Sequence, residues 1–102
     1  MVEEKLAPVA AKKYLADVPM DKSFYVFKGP TLRNMEQLGQ ALDKMSDEQF
    51  NHHRSDSKND FYNWVTQVIG DKKLAEELQK SKTKVATAKK VKERVTYLKS
   101  VK

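Results

Sequence analysis

The chain has 102 residues, the size of one ordinary domain, and 39% of them are hydrophobic, which is enough for a real core. It contains no cysteine, which excludes disulfides, thiolate metal sites and cysteine nucleophiles. The formal net charge is +6 and is unevenly spread: residues 72–102 hold eleven Lys or Arg against three Glu, whereas residues 31–71 hold four basic and seven acidic side chains.

The sequence predicts a single domain over residues 1–102, with a loose N-terminus at residues 1–7. No apolar run approaches the roughly 18–20 residues that a membrane span requires, and the N-terminus does not resemble a signal peptide. We therefore expect a cytoplasmic protein, with association with the nucleoid as one option, and no membrane partner.

The first predicted elements are a short helix and an extended segment. A proline followed by apolar residues predicts a helix over residues 8–15, which Pro19 ends. Residues 23–28 contain an aromatic, β-branched run that stops at the turn pair Gly29-Pro30, so this segment is expected to be extended. No partner strand is evident in the sequence, and the segment is expected to lie across helices.

Two helices with clear start signals follow. Asn34 and Gln37 make an N-cap pair before an apolar stripe that predicts a helix over residues 35–45. Ser46 and Gln49 form a capping box, which marks the best-specified helix start in the chain.

The centre of the core is predicted after a polar interval at residues 54–59. Apolar side chains over residues 61–69 recur at helical spacing, and Gly70 stands where a C-terminal cap belongs. Asp71 can cap a further short helix. The predicted fold class is therefore mainly all-α, a compact bundle of about five or six short helices with one extended aromatic segment.

The last predicted helix, residues 83–102, opens at Thr83 and is amphipathic and basic. Its apolar stripe consists of Val85, Ala88, Val91, Val95 and Leu98. Its basic positions are Lys84, Lys89, Lys90, Lys92, Arg94 and Lys99. These cations are either a solvated helix face or an anion-binding surface for the phosphates of DNA or RNA, and the concentration of positive charge slightly favours binding. The excess of Lys over Arg suits contact with a phosphate backbone better than reading of bases.

Two other classes of function stay open. In the first alternative, the same amphipathic helix packs its apolar stripe against an acidic or helical protein partner, and the chain is an interaction or regulatory domain. An enzyme is the least favoured class, because no catalytic motif outweighs the structural explanation of its residues. We expect a non-catalytic binding module with no cofactor, for which nucleic acid is the leading partner.

The only two histidines, His52 and His53, lie near several Asp residues, a ligand set that suits zinc. Adjacent residues on a helix point about 100° apart, so the two rings are poorly placed to hold one ion, and no metal site is predicted. His53 is instead expected to hydrogen-bond the following loop or the start of the next helix. Asn59 and Asp60, at that start, are expected to act as caps.

Aromatic residues are assigned by the same helical spacing. Phe61 and Trp64 lie in the apolar stripe and are expected in the core. Tyr62 and Tyr97 lie off the apolar faces, and either could be an exposed aromatic contact.

One motif carries a resemblance to a known family. Its residues are Phe50, His53, Lys58, Asn59, Asp60, Phe61 and Trp64. They form a Phe-x-x-His element followed by Lys-Asn-Asp-Phe-x-x-Trp, and over about residues 24–80 the chain resembles a small uncharacterised family of archaeal and bacterial domains. The resemblance implies a shared helical fold, in which these residues are structural, and it brings no activity. Arg54 and Ser55 depart from that family's pattern, and the basic C-terminal helix lies beyond the matched segment.

Overall fold

Six α-helices and two short hairpins form the regular structure of residues 6–101, the part of the chain that the computed structural model describes. The helices are α1 (Pro8–Leu15), α2 (Met35–Lys44), α3 (Asp47–His53), α4 (Asp60–Trp64), α5 (Lys72–Lys80) and α6 (Lys84–Ser100). The strands are β1 (Phe24–Tyr25), β2 (Thr31–Leu32), β3 (Arg54–Ser55) and β4 (Lys58–Asn59). A 3₁₀ turn covers Met20–Lys22. The predicted mainly α-helical bundle is confirmed; the loose N-terminus predicted for residues 1–7 lies mostly outside the described residues.

Helix starts follow the predicted caps. The Asn34 side chain accepts a hydrogen bond from the backbone N–H of Gln37, and the capping box at Ser46 has both of its hydrogen bonds. Thr83 accepts from the N–H of Ala86 and opens α6. Because each cap satisfies a backbone donor that the helix itself leaves unpaired, these starts are fixed by local sequence.

The strands correct the sequence analysis in two places. The extended aromatic segment does have a partner: β1 pairs antiparallel with β2, with Phe24 opposite Leu32. The interval 54–59, expected to be a polar loop, contains a second hairpin in which β3 pairs with β4. Strands of two residues are too short to show the alternation by which a strand is recognised in a sequence.

The helix predicted over residues 61–69 changes its winding part-way. α4 is α-helical, but Val65–Ile69 forms a π-helical turn, which the apolar spacing did not indicate. Gly70 then ends the helix with φ of 87°, a left-handed conformation that suits glycine.

α6 lies at the centre of the packing. Val91 and Leu98 are buried, whereas Val85 at the start of the stripe is 76% exposed. α2 approaches α6 closely at Gly39, where an added Cβ would lie 3.1 Å from Cγ of Lys92. The apolar stripe of α6 therefore completes the core of the protein.

Candidate functional site

The predicted phosphate-contacting cations on one flank of α6 are paired with carboxylates. Lys92 Nζ lies 2.8 Å from Asp43 Oδ2, and Lys99 pairs with Glu36. The two lysines are seven residues apart, as are the two acids, so antiparallel helices bring both pairs into register. We call these two pairs the α2–α6 ladder.

Lys84 extends the same arrangement beyond α2. Its Nζ donates to the carbonyl oxygen of Met45 at 2.7 Å and lies 3.7 Å from Asp47 Oδ1. The Lys84 side chain is 29% exposed, so this cation is partly withdrawn from solvent.

The opposite flank of α6 is bound to α5 and to the residue that caps it. Arg94 makes a two-point ion pair with Asp71, in which Nε lies 2.7 Å from Oδ2. Lys90 Nζ lies 3.6 Å from Glu77 Oε2. Both pairs join α6 to the segment that precedes it.

Lys89 differs from the other five cations, because it makes no hydrogen bond or ion pair with another described residue. It is exposed on the outer side of α6, where Glu93 is also exposed. Five of the six predicted phosphate-binding residues thus face a carboxylate of the same chain, and the outer side offers few free cations. The acidic and basic segments of the sequence complement each other inside the fold.

His53 is buried and both of its ring nitrogens have partners. Nε2 accepts the backbone N–H of Phe27 at 2.9 Å, so Nδ1 carries the proton and donates it to Asp60 Oδ2 at 2.8 Å. The predicted contact with the start of the next helix is confirmed, while the Phe27 contact was not foreseen. Because Nε2 is occupied by a backbone donor, His53 has no free nitrogen for a substrate or a metal.

Asn59 alone takes the capping role that was predicted for both Asn59 and Asp60. Asn59 is the cap of α4, accepting from the N–H of Tyr62 at 3.0 Å. Asp60 instead binds His53 and lies 3.4 Å from Lys58 Nζ, so its predicted role as a cap is wrong. The sequence predicted that His53 would reach the start of α4, but it did not identify Asp60 as the residue that His53 binds.

The aromatic members of the motif lie in the core. The ring of Phe61 stacks on those of Phe24 and Phe50, and Phe61 is completely buried. Trp64 meets Phe24 edge-on and donates its indole N–H to the carbonyl of Lys22 at 2.8 Å. His52 stacks on Phe27 with 4.0 Å between ring centroids. Within residues 6–101, no three His, Asp or Glu side chains are grouped to hold a metal ion.

A polar groove of about 460 Å³ lies between the β3–β4 hairpin, α4 and the end of α5. We call it the hairpin groove. Its lining residues are Arg54, Asp56, Ser57, Lys58, Asn59, Tyr62, Asn63, Gln79 and Lys82. It has three cations and one carboxylate, and it was not identified as a site from the sequence.

Arg54 is held in the hairpin groove by backbone carbonyls. Its guanidinium donates to the oxygens of Ser81 and Gln79, each at 3.2 Å, and to that of Ser55. No carboxylate of residues 6–101 pairs with it. Its position is therefore fixed while its charge stays uncompensated by an acid.

Several other groups of the groove have free hydrogen-bonding capacity. The exposed side chains of Asn63, Gln79 and Lys82 make no hydrogen bond within the described part of the chain. Tyr62, half-buried, lines the same groove, whereas Tyr97 is half-buried with the Arg94 guanidinium 5.3 Å from its ring centroid. Of the two tyrosines left open by the sequence, Tyr62 is the one beside a polar groove.

Further exposed lysines lie on α5 and just after it. Lys72, Lys73 and Lys80 are exposed and, like Lys82, form no ion pair with the residues that the structure describes. Glu76 is the exposed acid on this helix. Positive charge thus continues from the hairpin groove along the outer side of α5.

Comparison of the chain with protein-family models, with curated proteins and with solved structures found no match. The resemblance carried by the Lys-Asn-Asp-Phe-x-x-Trp motif therefore stays a prediction. Among residues 6–101 no helix has the length and apolarity needed to cross a bilayer.

Proposed function

We propose that this chain is a non-catalytic binding module for nucleic acid, whose phosphates contact the hairpin groove and the outer side of α5. One observation carries the proposal. Arg54 and Lys82 have no carboxylate partner within residues 6–101, whereas five of the six cations predicted on α6 do have one. Nucleic acid stays the proposed partner, but the proposed binding surface is the hairpin groove and α5 instead of α6.

The α6 surface and the hairpin groove differ in how strongly their cations attract an anion. A cation already paired with a carboxylate has its field partly cancelled, and a phosphate must compete with that acid for it. An unpaired surface lysine attracts a phosphate without competition, and the nucleic acid releases counterions on binding. The resulting affinity depends little on sequence and strongly on salt.

The His53 arrangement supports a non-catalytic role. A general base needs a free nitrogen within reach of a substrate proton, and Nε2 of His53 is occupied by the backbone N–H of Phe27. The neighbouring Asp60 is engaged by His53 and lies near Lys58. These groups connect α3, α4 and the β1–β2 turn.

An acidic or helical protein partner on α6 receives less support. Of its apolar stripe only Val85 is exposed, and the remaining members are buried against other elements. A partner could reach them only if α6 left the core, which would expose this buried apolar surface to water and destabilise the fold. Removal of residues 83–102 is therefore unsuitable as a binding control.

Fluorescence anisotropy with a labelled single-stranded oligonucleotide across a salt series tests the proposal. The variant Lys80→Gln/Lys82→Gln is compared with Lys12→Gln/Lys13→Gln, which removes two exposed lysines from α1. We expect the first variant to bind more weakly. The slope of its log association constant against log salt concentration should become shallower by about 0.7 for each phosphate that the protein no longer neutralises. Equal losses of affinity in both variants, or no binding by the unmodified protein at low salt, would contradict it.

A further inference from the structure

We infer that the hairpin groove holds one unpaired nucleotide, with its base beside Tyr62 and its phosphate toward Lys82. This inference rests on the proposed function and specifies its ligand as single-stranded nucleic acid. It follows from the combination, in one groove, of an aromatic side chain, free amides and cations.

Tyr62 supplies an aromatic surface from a fixed position. Its backbone N–H is bound by the Asn59 side chain in the first turn of α4, and its half-buried side chain packs against the core. A ring anchored in this way loses little conformational freedom when a base stacks on it. Stacking on aromatic side chains is the main means by which proteins hold unpaired bases.

Asn63 and Gln79 supply hydrogen bonds that suit a base edge. Each amide offers a donor and an acceptor, and neither side chain is bound elsewhere in the described chain. The Watson–Crick edge of a base presents the same mixture of groups, but in a duplex the opposite strand occupies it. The groove is therefore suited to an unpaired base.

The cations place the phosphate at one side of the groove. Arg54 gives a fixed charge because backbone carbonyls hold it, and the exposed Lys82 can move to meet an oxygen. Lys58 is partly engaged by Asp60, and Asp56 repels an anion from its own side. Of the groove's cations, Lys82 has neither an acid nor a carbonyl partner within the described residues, so we place the phosphate there.

The size of the groove agrees with a single nucleotide. Its volume of about 460 Å³ is in the range of small-molecule sites, roughly 300–1,000 Å³. Neighbouring phosphates of the strand would then follow the free lysines of α5. The groove would favour single-stranded over double-stranded nucleic acid, and the lysines would supply most of the affinity.

Three probes test this inference: a labelled single-stranded oligonucleotide, a duplex of half its length with the same number of phosphates, and unlabelled polyphosphate as competitor. The key variant is Asn63→Ala/Gln79→Ala, which alters two exposed side chains, and Gln40→Ala on α2 is the matched control. Tyr62→Leu is a second variant that removes the stacking surface, with its fold checked by circular dichroism.

We expect the amide variant to bind the single strand about 5- to 20-fold more weakly, the loss expected for one or two hydrogen bonds, with an unchanged salt slope and an unchanged affinity for polyphosphate. Tyr62→Leu should lose about 5- to 150-fold in affinity, the range for removal of one stacked base. If the amide variant binds all three probes as the unmodified protein does, the inference fails while the proposed function stands. If the unmodified protein binds none of them, both fail.

Discussion

Asp71 and Arg94 form a buried two-point ion pair that joins the start of α5 to the middle of α6. Nε of Arg94 lies 2.7 Å from Oδ2 and Nη2 lies 2.9 Å from Oδ1, with the two side chains only 9% and 1% exposed. Asp71 Oδ1 also accepts the N–H of Leu74 and caps α5. A residue predicted from the sequence as a simple cap thus binds one of the predicted phosphate-contacting cations.

Replacing Arg94 with Met should destabilise the protein strongly. The substitution leaves the Asp71 carboxylate buried without its counter-ion, which costs about 3–5 kcal/mol of unfolding free energy. Urea denaturation measures the loss, and Lys90→Gln, which breaks a more exposed pair with Glu77, is the control at about 0–1 kcal/mol. An Arg94→Met effect as small as the control would show that the pair does not hold the helices together.

The α2–α6 ladder should make a small and salt-sensitive contribution to stability. A double-mutant cycle with Asp43→Asn and Lys92→Gln is expected to give a coupling of about 0.2–1 kcal/mol, since the pair is half exposed. The coupling should decrease in about 1 M salt, where the Debye length is about 3 Å. The absence of coupling at low salt would show that the pair of Asp43 and Lys92 does not stabilise the protein.

Local sequence predicted most helix starts correctly, because capping residues act on backbone groups within three positions. Asn34, Ser46 and Thr83 cap the helices that they were expected to cap. The mainly helical class followed from the apolar spacing between these caps. The extended state of residues 23–28 was predicted, but its partner strand, the second hairpin and the π-helical turn were not, since none of these has a length or period that a sequence pattern can reveal.

The pairing of charged residues was harder to predict from the sequence than the positions of the helices. The side chains of Lys92 and Asp43 are 49 residues apart in sequence, and those of Lys99 and Glu36 are 63 apart. A composition profile shows one acidic and one basic segment, but only the packing of α6 on α2 shows that they face each other. The hairpin groove was missed for the same reason, because its cations come from the hairpin and from the segment that follows α5.

His53 should be a neutral Nδ1–H tautomer in solution. Its Nε2 accepts the Phe27 N–H and its Nδ1 faces Asp60, an arrangement that fixes the proton on Nδ1. Long-range ¹H–¹⁵N correlation spectra at neutral pH report the state of both nitrogens directly. The Nε2–H tautomer, or rapid exchange between the two, would contradict the Phe27 contact.

Gly70→Ala should destabilise through backbone conformation alone. Gly70 has φ of 87°, and an added Cβ would meet no heavy atom within 4 Å, so steric overlap is not the cause. We expect a loss of about 1–2 kcal/mol, the cost of a left-handed conformation for a residue with a Cβ. Gly70→Asn should lose less, because Asn tolerates this region better. Equal stability of the Ala variant and the unmodified protein in thermal denaturation would contradict the assigned conformation.

We propose that α6 uses its cations to hold the fold, while the hairpin groove and α5 bind the nucleic acid. Titration of a single-stranded oligonucleotide into Lys92→Gln/Lys99→Gln and Lys80→Gln/Lys82→Gln, which remove the same charge, tests it most directly. We predict that the ladder variant keeps its affinity within about twofold, since distant exposed charges are screened. The Lys80→Gln/Lys82→Gln variant should lose affinity at unchanged stability. Loss of binding in the folded Lys92→Gln/Lys99→Gln variant, with binding retained by Lys80→Gln/Lys82→Gln, would contradict this division of roles.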